Sequence, residues 1–264
     1  MNFSIKGLVL RDTDRNDNDK LLTVLTSERG RITVMAKGTH SIKSRALSGT
    51  QLFTYSDMEL YEKGGFYWLR EATVIDAFMG IAKSVEKMSV AAYIADLAYE
   101  FSGEDEAAED ILKLTLNAFY ALARDIRPLL QVKGAYELCA AGLSGYMPDV
   151  SGCKKCKKPN AEFMYFDVMN GRFLCADCMS EASLAAKREA AKSEDIREAQ
   201  VICPMSPSVT AAVRYVFTAP IPRFLSFTLA EEEIPQFASV SETYVLSHIG
   251  HGFESLDFYK MLFN

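Results

Sequence analysis

Four cysteines fall in two pairs, Cys153-Lys154-Lys155-Cys156 and Cys175-Ala176-Asp177-Cys178, with 18 residues between the pairs. A C-x-x-C turn presents two sulfurs to one metal ion, and 18 residues give room for a hairpin that returns the second pair to the first. The chemistry to which this spacing points is tetrahedral binding of one Zn2+ by four thiolates. Such a set is closed: no position is left for water, so the metal would staple structure and do no catalysis. Lys154, Lys155, Lys157 and Lys158 surround the first pair and favour ionised thiolates, while Gly152 and Pro159 bound the turn. The alternative for the four is a pair of disulfides or four free thiols. Cys139 and Cys203 stand apart in apolar or mixed surroundings. In a reducing compartment they are ordinary thiols.

Residues suited to catalysis are sparse. The three histidines are His40, His248 and His251, and none sits beside a Ser or Cys arranged as a nucleophile pair. His248-Ile249-Gly250-His251 reads as a helix end, where imidazole interacts favourably with the last carbonyls; a metal-ligand pair is the competing reading. Gly38 to Ser44 lacks the second glycine of a phosphate-cradling loop. A zinc deaminase would need H-x-E and an open metal position, and the sequence carries no H-x-E. The expectation is a protein that is not an enzyme.

Charge is uneven. The 264 residues carry a net charge of −6, yet residues 1–80 hold 11 Lys and Arg against 10 Asp and Glu, and the remainder 18 against 25. Arg29, Arg31, Lys37, Lys43 and Arg45 occur with no acidic residue between Arg29 and Asp57. This basic stretch is a candidate for tracking a phosphate backbone; a solvated charged face is the bland alternative. Phe53, Tyr55, Phe66, Tyr67 and Trp68 are either base-stacking surfaces or, as the packing of small barrels favours, interior.

The elements that must hold these residues follow from periodicity. Residues 3–13, 20–27, 30–37, 50–62 and 65–76 read as five strands, rich in β-branched and aromatic residues. In the third, Ile32, Val34 and Ala36 alternate with Arg31, Thr33, Met35 and Lys37, which places Arg31 and Lys37 on one outer face. Lys63-Gly64-Gly65 forms a tight hairpin turn, after which Phe66 and Trp68 share a face. Five short strands with a basic face fit an OB-fold barrel. From residue 81 the period becomes helical, with helices over 85–99, 111–123 and 129–143, then 207–216, 236–249 and 255–263. Residues 163–168 and 171–174 form a hairpin turning at Asn170-Gly171 between the cysteine pairs. Residues 181–200 read as a solvated helix. The fold class is therefore α+β: an OB barrel over 1–80, then an all-α domain over 81–264 whose zinc knuckle is an insertion at about 149–180. The N-terminal residues do not form a signal peptide and no run of 18 uncharged apolar residues occurs, so the expected location is the cytoplasm, without membrane contact.

From Leu25 through Arg31-Ile32-Thr33-Val34-Met35-Ala36-Lys37-Gly38 to Lys43-Ser44 the chain resembles the RecO family of bacterial recombination mediators. The resemblance continues through Gln51-Leu52-Phe53, Tyr136-Glu137-Leu138, Gly145-Tyr146-Met147-Pro148, the cysteine pairs and Gly252-Phe253-Glu254-Ser255-Leu256. It implies a protein without enzymatic activity that binds single- and double-stranded DNA and anneals strands coated with single-stranded DNA-binding protein. It also implies action with RecR to help load RecA. By position, Arg31, Lys37, Lys43 and Ser44 match family residues on the DNA-binding side, and Cys153, Cys156, Cys175 and Cys178 match the zinc ligands. Arg29 and Arg45 join the DNA-binding set from charge alone. His40 stands where many members have arginine, which exchanges a fixed charge for an imidazole that is mostly neutral at pH 7. A zinc-stapled protein-interaction scaffold without direct DNA binding is the alternative, favoured by the net negative charge.

Overall fold

The computed structural model describes residues 2–15, 19–38, 47–180 and 201–263. The strands are β1 (Asn2–Asp14), β2 (Lys20–Thr26), β3 (Gly30–Ala36), β4 (Tyr55–Lys63), β5 (Phe66–Asp76), β6 (Asp149–Cys153), β7 (Met164–Asp167), β8 (Arg172–Cys175) and β9 (Ile202–Met205). The helices are α1 (Val85–Glu100), α2 (Glu109–Arg124), α3 (Leu129–Leu143), α4 (Pro207–Thr218), α5 (Ile234–Ile249) and α6 (Glu254–Phe263). Contacts group Met1–Leu129 with Phe253–Asn264 into one compact unit, and Leu130–Gly252 into a second.

In the first unit β1, β2, β3, β5 and β4 close into a barrel in that order, the OB-like architecture expected from the five runs. One long strand makes this possible: the first half of β1 pairs with β4, its second half with β2, and the ladder shifts between Val9 and Arg11. Closure comes from a short parallel contact of β3 with β5, Val34 opposite Tyr67 and Met35 opposite Trp68. Inward positions carry Ile5, Val9, Leu22, Val24, Ile32, Val34, Ala36, Met58, Leu60 and Ala72. Burying one such large side chain contributes about 1.5–3 kcal/mol. Gly64 and Gly65 both take positive φ, 63° and 77°, and this two-residue turn sets Lys63 opposite Phe66.

Two strand expectations shift. The fourth strand starts at Tyr55 and not at residue 50, because Ser48–Thr50 forms a 3-10 turn in which Gly49 lies against Ala72 and accepts a hydrogen bond from Ser56 Oγ at 3.0 Å. Met35, placed outward by alternation, is buried: it lies beside Trp68 in the ladder and receives Arg15 Nη1 at 3.0 Å from its sulfur.

Helix α1 begins at Ser84, whose hydroxyl accepts from the Lys87 amide, and α6 packs along it, with Phe253 edge-on to Tyr93 and Ser255 donating to Asp96 at 2.6 Å. Gly30 enters β3 at φ 54° because the chain must approach Gly103: a Cβ there would lie 2.3 Å from the Gly103 carbonyl oxygen.

The second unit pairs α3, α4 and α5 with a four-stranded sheet ordered β6, β8, β7, β9. The expected hairpin is β7 and β8, and Asp167, fully buried, accepts from Asn170 Nδ2 and Arg172 Nε to hold its turn. Strands β6 and β9 enlarge it beyond the hairpin. Phe166 joins the sheet to α5 by stacking on Tyr244 at 4.9 Å. The 181–200 segment lies outside the described residues.

Candidate metal centre and nucleic-acid interface

The strand ends deliver the sulfurs. Cys153 closes β6, Cys156 follows in the turn, Cys175 closes β8, and Cys178 sits one helical turn further on. The turn is held by the Cys153 amide donating to Lys158 O and the Lys157 amide donating to Cys153 O, both 2.8 Å, with Lys157 at φ 63°. Arg214 of α4 anchors it from outside, donating to the carbonyls of Val150 and Pro159 and to Asn160 Oδ1 at 2.8–3.0 Å.

All four sulfurs lie within 4.8 Å of one another, and Cys156 and Cys175 are 3.6 Å apart. A disulfide needs about 2.05 Å, whereas sulfurs at about 2.3 Å from a tetrahedral ion are separated by about 3.8 Å. The cysteines are free of disulfides, and the group could hold a metal ion. Its electrostatics ask for one. Burial pushes the Cys153 thiol up, but the amides of Cys156, Cys175 and Lys155 pull it down further, to about 6. Cys178 is pushed up to about 12 by burial and by its sulfur neighbours. A divalent ion would supply charge that favours the thiolate form of Cys178.

Of the basic candidates, the described residues include Arg29, Arg31 and Lys37; His40, Lys43, Ser44 and Arg45 lie outside them. Arg31 and Lys37 share the parity of β3 but not a location, since six residues of strand span about 20 Å. The Arg31 guanidinium lies 3.8 Å over the Tyr99 ring of α1, where Arg11 also packs at 4.0 Å while pairing with Asp96. Its Nε is buried without a hydrogen-bond partner among the described residues. Arg31 thus faces α1. Arg29 is exposed, donating to Tyr67 Oη at 2.6 Å and lying 5.3 Å over Phe3. Lys37 is exposed, with Nζ 4.5 Å over Trp68.

The aromatics divide. Phe53 is buried against Phe119, Tyr67 packs on the barrel core, and Phe66, Trp68 and Tyr61 face outward at least in part. Tyr61 and Tyr99 carry no signal as site residues in the sequence; the cross-strand pairing of Tyr61 with Trp68 depends on the β4–β5 register. His248 takes the helix-end role: Gly250 caps α5 at φ 82°, and His248 Nδ1 lies 2.9 Å from Tyr244 O; His251 stands beyond the cap, its Nδ1 3.0 Å from Gly252 O.

Two family models account for this chain. Recombination protein O N terminal matches residues 1–78, and Recombination protein O C terminal matches residues 82–257. The chain belongs to the RecO family. A DNA repair protein RecO from Acetivibrio thermocellus is 27% identical over 263 residues, covering 99% of this chain and 98% of its own length. RecO proteins from Caldicellulosiruptor saccharolyticus and Dehalococcoides mccartyi are 29% and 26% identical over 70% and 87% of this chain, and over 75% and 84% of their own lengths. The match to the Acetivibrio thermocellus protein spans both the barrel and the cysteine-bearing part of the chain. No helix among the described residues is long and apolar enough to cross a membrane.

Proposed function

We propose that the protein is a cytoplasmic DNA repair and recombination mediator that binds single- and double-stranded DNA and anneals complementary strands. With RecR it promotes RecA loading onto DNA coated by single-stranded DNA-binding protein. The observation that carries this reading is the end-to-end likeness to RecO proteins. DNA contact is assigned to the barrel of residues 1–80, through Arg29 and Lys37 together with His40, Lys43, Ser44 and Arg45. Arg31 supports that face from its seat on Tyr99. The domain of residues 81–264, with its insertion at 149–180, is assigned to partner contacts. Cations on the barrel lower the repulsion between two strands and release counterions, so no covalent step is needed. The four cysteines are assigned one structural zinc, which suits an all-sulfur, closed, tetrahedral donor set.

Anisotropy titration of labelled DNA over a range of salt tests the reading. Affinity should fall steeply with salt, and Arg29→Ala with Lys37→Ala should weaken binding and make the slope shallower by about 1 for each phosphate no longer neutralised. Absence of binding at low salt favours the scaffold alternative, to which the net charge of −6 already inclines.

A further inference from the structure

We propose that Trp68 and Tyr61 on the outer face of the barrel form a base-stacking platform that makes DNA contact selective for single strands. The proposal rests on the DNA-binding reading above and adds to it the form of DNA preferred. Trp68 and Tyr61 are directly opposed on β5 and β4, and their rings are nearly parallel, 18° apart, with centroids separated by 6.4 Å. Both are half-buried. Phe66, two residues before Trp68 on the same side of β5, is 58% exposed.

A barrel with ten apolar side chains already filling its interior gains nothing from leaving a Trp, a Tyr and a Phe together outside. The cations around them indicate a ligand. Lys37 holds its ammonium 4.5 Å over the Trp68 ring, and Arg15 borders the strip through Met35, the ladder neighbour of Trp68. Lys63 stands at the turn, where its carbonyl accepts from Trp68 Nε1 at 3.4 Å. Aromatic faces with a lysine ammonium laid over one of them match a strand whose bases stack and whose phosphates run alongside. The long stem of Lys37 lets Nζ leave the ring for a phosphate as a base takes its place. The strip lies beside β3, where Trp68 pairs with Met35, and next to the β4–β5 turn at Gly64-Gly65; β3 and the β4–β5 connection both belong to the ligand-binding side of an OB barrel. In a duplex each base face is already covered by its neighbours, so only an unpaired base can use the rings.

Trp68 is the single tryptophan of the chain, so intrinsic fluorescence reports this platform alone. The experiment follows Trp68 emission and anisotropy of labelled DNA while the full chain is titrated with oligo-dT of about 15 nucleotides, or with duplex of that length. Single strand should quench the emission strongly; duplex, whose phosphates draw Lys37 from the ring but whose bases stay stacked on one another, should shift it only slightly. Tyr61→Leu and Trp68→Leu should each cut single-strand affinity about tenfold, with duplex affinity within about twofold of wild type, and Trp68→Phe should retain most of the affinity. Tyr61→Leu keeps the Trp68 emission as its own check on folding. Single-strand binding without quenching, or leucine variants that weaken both DNA forms alike, overturns the platform and leaves DNA binding standing. Failure to bind either form at low salt removes both.

Discussion

The barrel and the sheet that carries the cysteines are both small β structures held by different physics. The barrel excludes water with an uncharged interior and closes its own edges, and several cations of its outer face lie over aromatic rings, Arg29 over Phe3, Arg31 over Tyr99 and Lys37 over Trp68. The other sheet brings four sulfurs together, and its dense lysine run answers that local charge. Lys154 pairs with Asp149, and Lys158 with Asp177. Lys158 is raised by Asp177 first and by the Cys156 and Cys175 sulfurs after it. Two lysines of the densest run in the chain therefore face carboxylates beside the sulfurs, while on the barrel Lys37 lies over Trp68. Lysine density is a poor guide to a phosphate surface; what the lysines face decides.

The contrast breaks most sharply at the metal. Cys175→Ser with Cys178→Ser should abolish retention of the zinc proposed for the cluster, forfeiting on the order of 10 kcal/mol of metal-binding free energy, as read by metal analysis and thermal melting. A chelator should do the same to the wild type while leaving Trp68 emission where it was; a shift of that emission would show that the barrel depends on the metal after all. Next comes Lys133 of α3, buried between Glu137 and Glu242 with Nζ 2.8 Å from each. Burial alone would lower its pKa, but the two carboxylates raise it overall. The stability it contributes is present below the ordinary lysine value and lost only as pH climbs through the higher folded one. Lys133→Met should cost about 3–5 kcal/mol in denaturant titration, because it strands buried carboxylate charge.

In the barrel, Leu60→Ala should cost about 3 kcal/mol by the same titration, a cavity cost without any salt dependence. The smallest effect belongs to Asp149, held at about 2 by hydrogen bonds from Ser151 and then from Lys154. A depressed carboxylate contributes above its ordinary value of 3.8 and loses that contribution as pH falls toward 2. Lys154→Ala should move the Asp149 titration back up in an NMR pH series with little change in melting, since the pair is exposed.

What is legible in the sequence follows the same division. The cysteine cluster is readable from spacing alone, because C-x-x-C turns are local. Alternation marks the five strands and places Ile32 and Val34 inside, but it puts Met35 outside, since the period of a strand does not register what a neighbouring strand lays over it. Strand β9 has no such signal: Ile202-Cys203-Pro204-Met205 is short and contains proline, and it is a strand only because β7 offers an edge. The basic stretch is visible as charge, but nothing in the sequence signals that Arg31 turns onto Tyr99 of α1, 68 residues further on. Packing in small barrels favours an interior place for Trp68; the β4–β5 register sets it outside, beside Tyr61.

The packing of α6 on α1 has a consequence for the order in which the protein is made. The barrel, α1 and α2 are all synthesised before residue 130, yet the helix that covers α1 follows the whole of Leu130–Gly252. At about 5–20 residues per second, that cover is complete about 7–27 s after the first 129 residues have been joined. During that interval the apolar side of α1 waits open, and the first part of the chain to fold is the last to be finished.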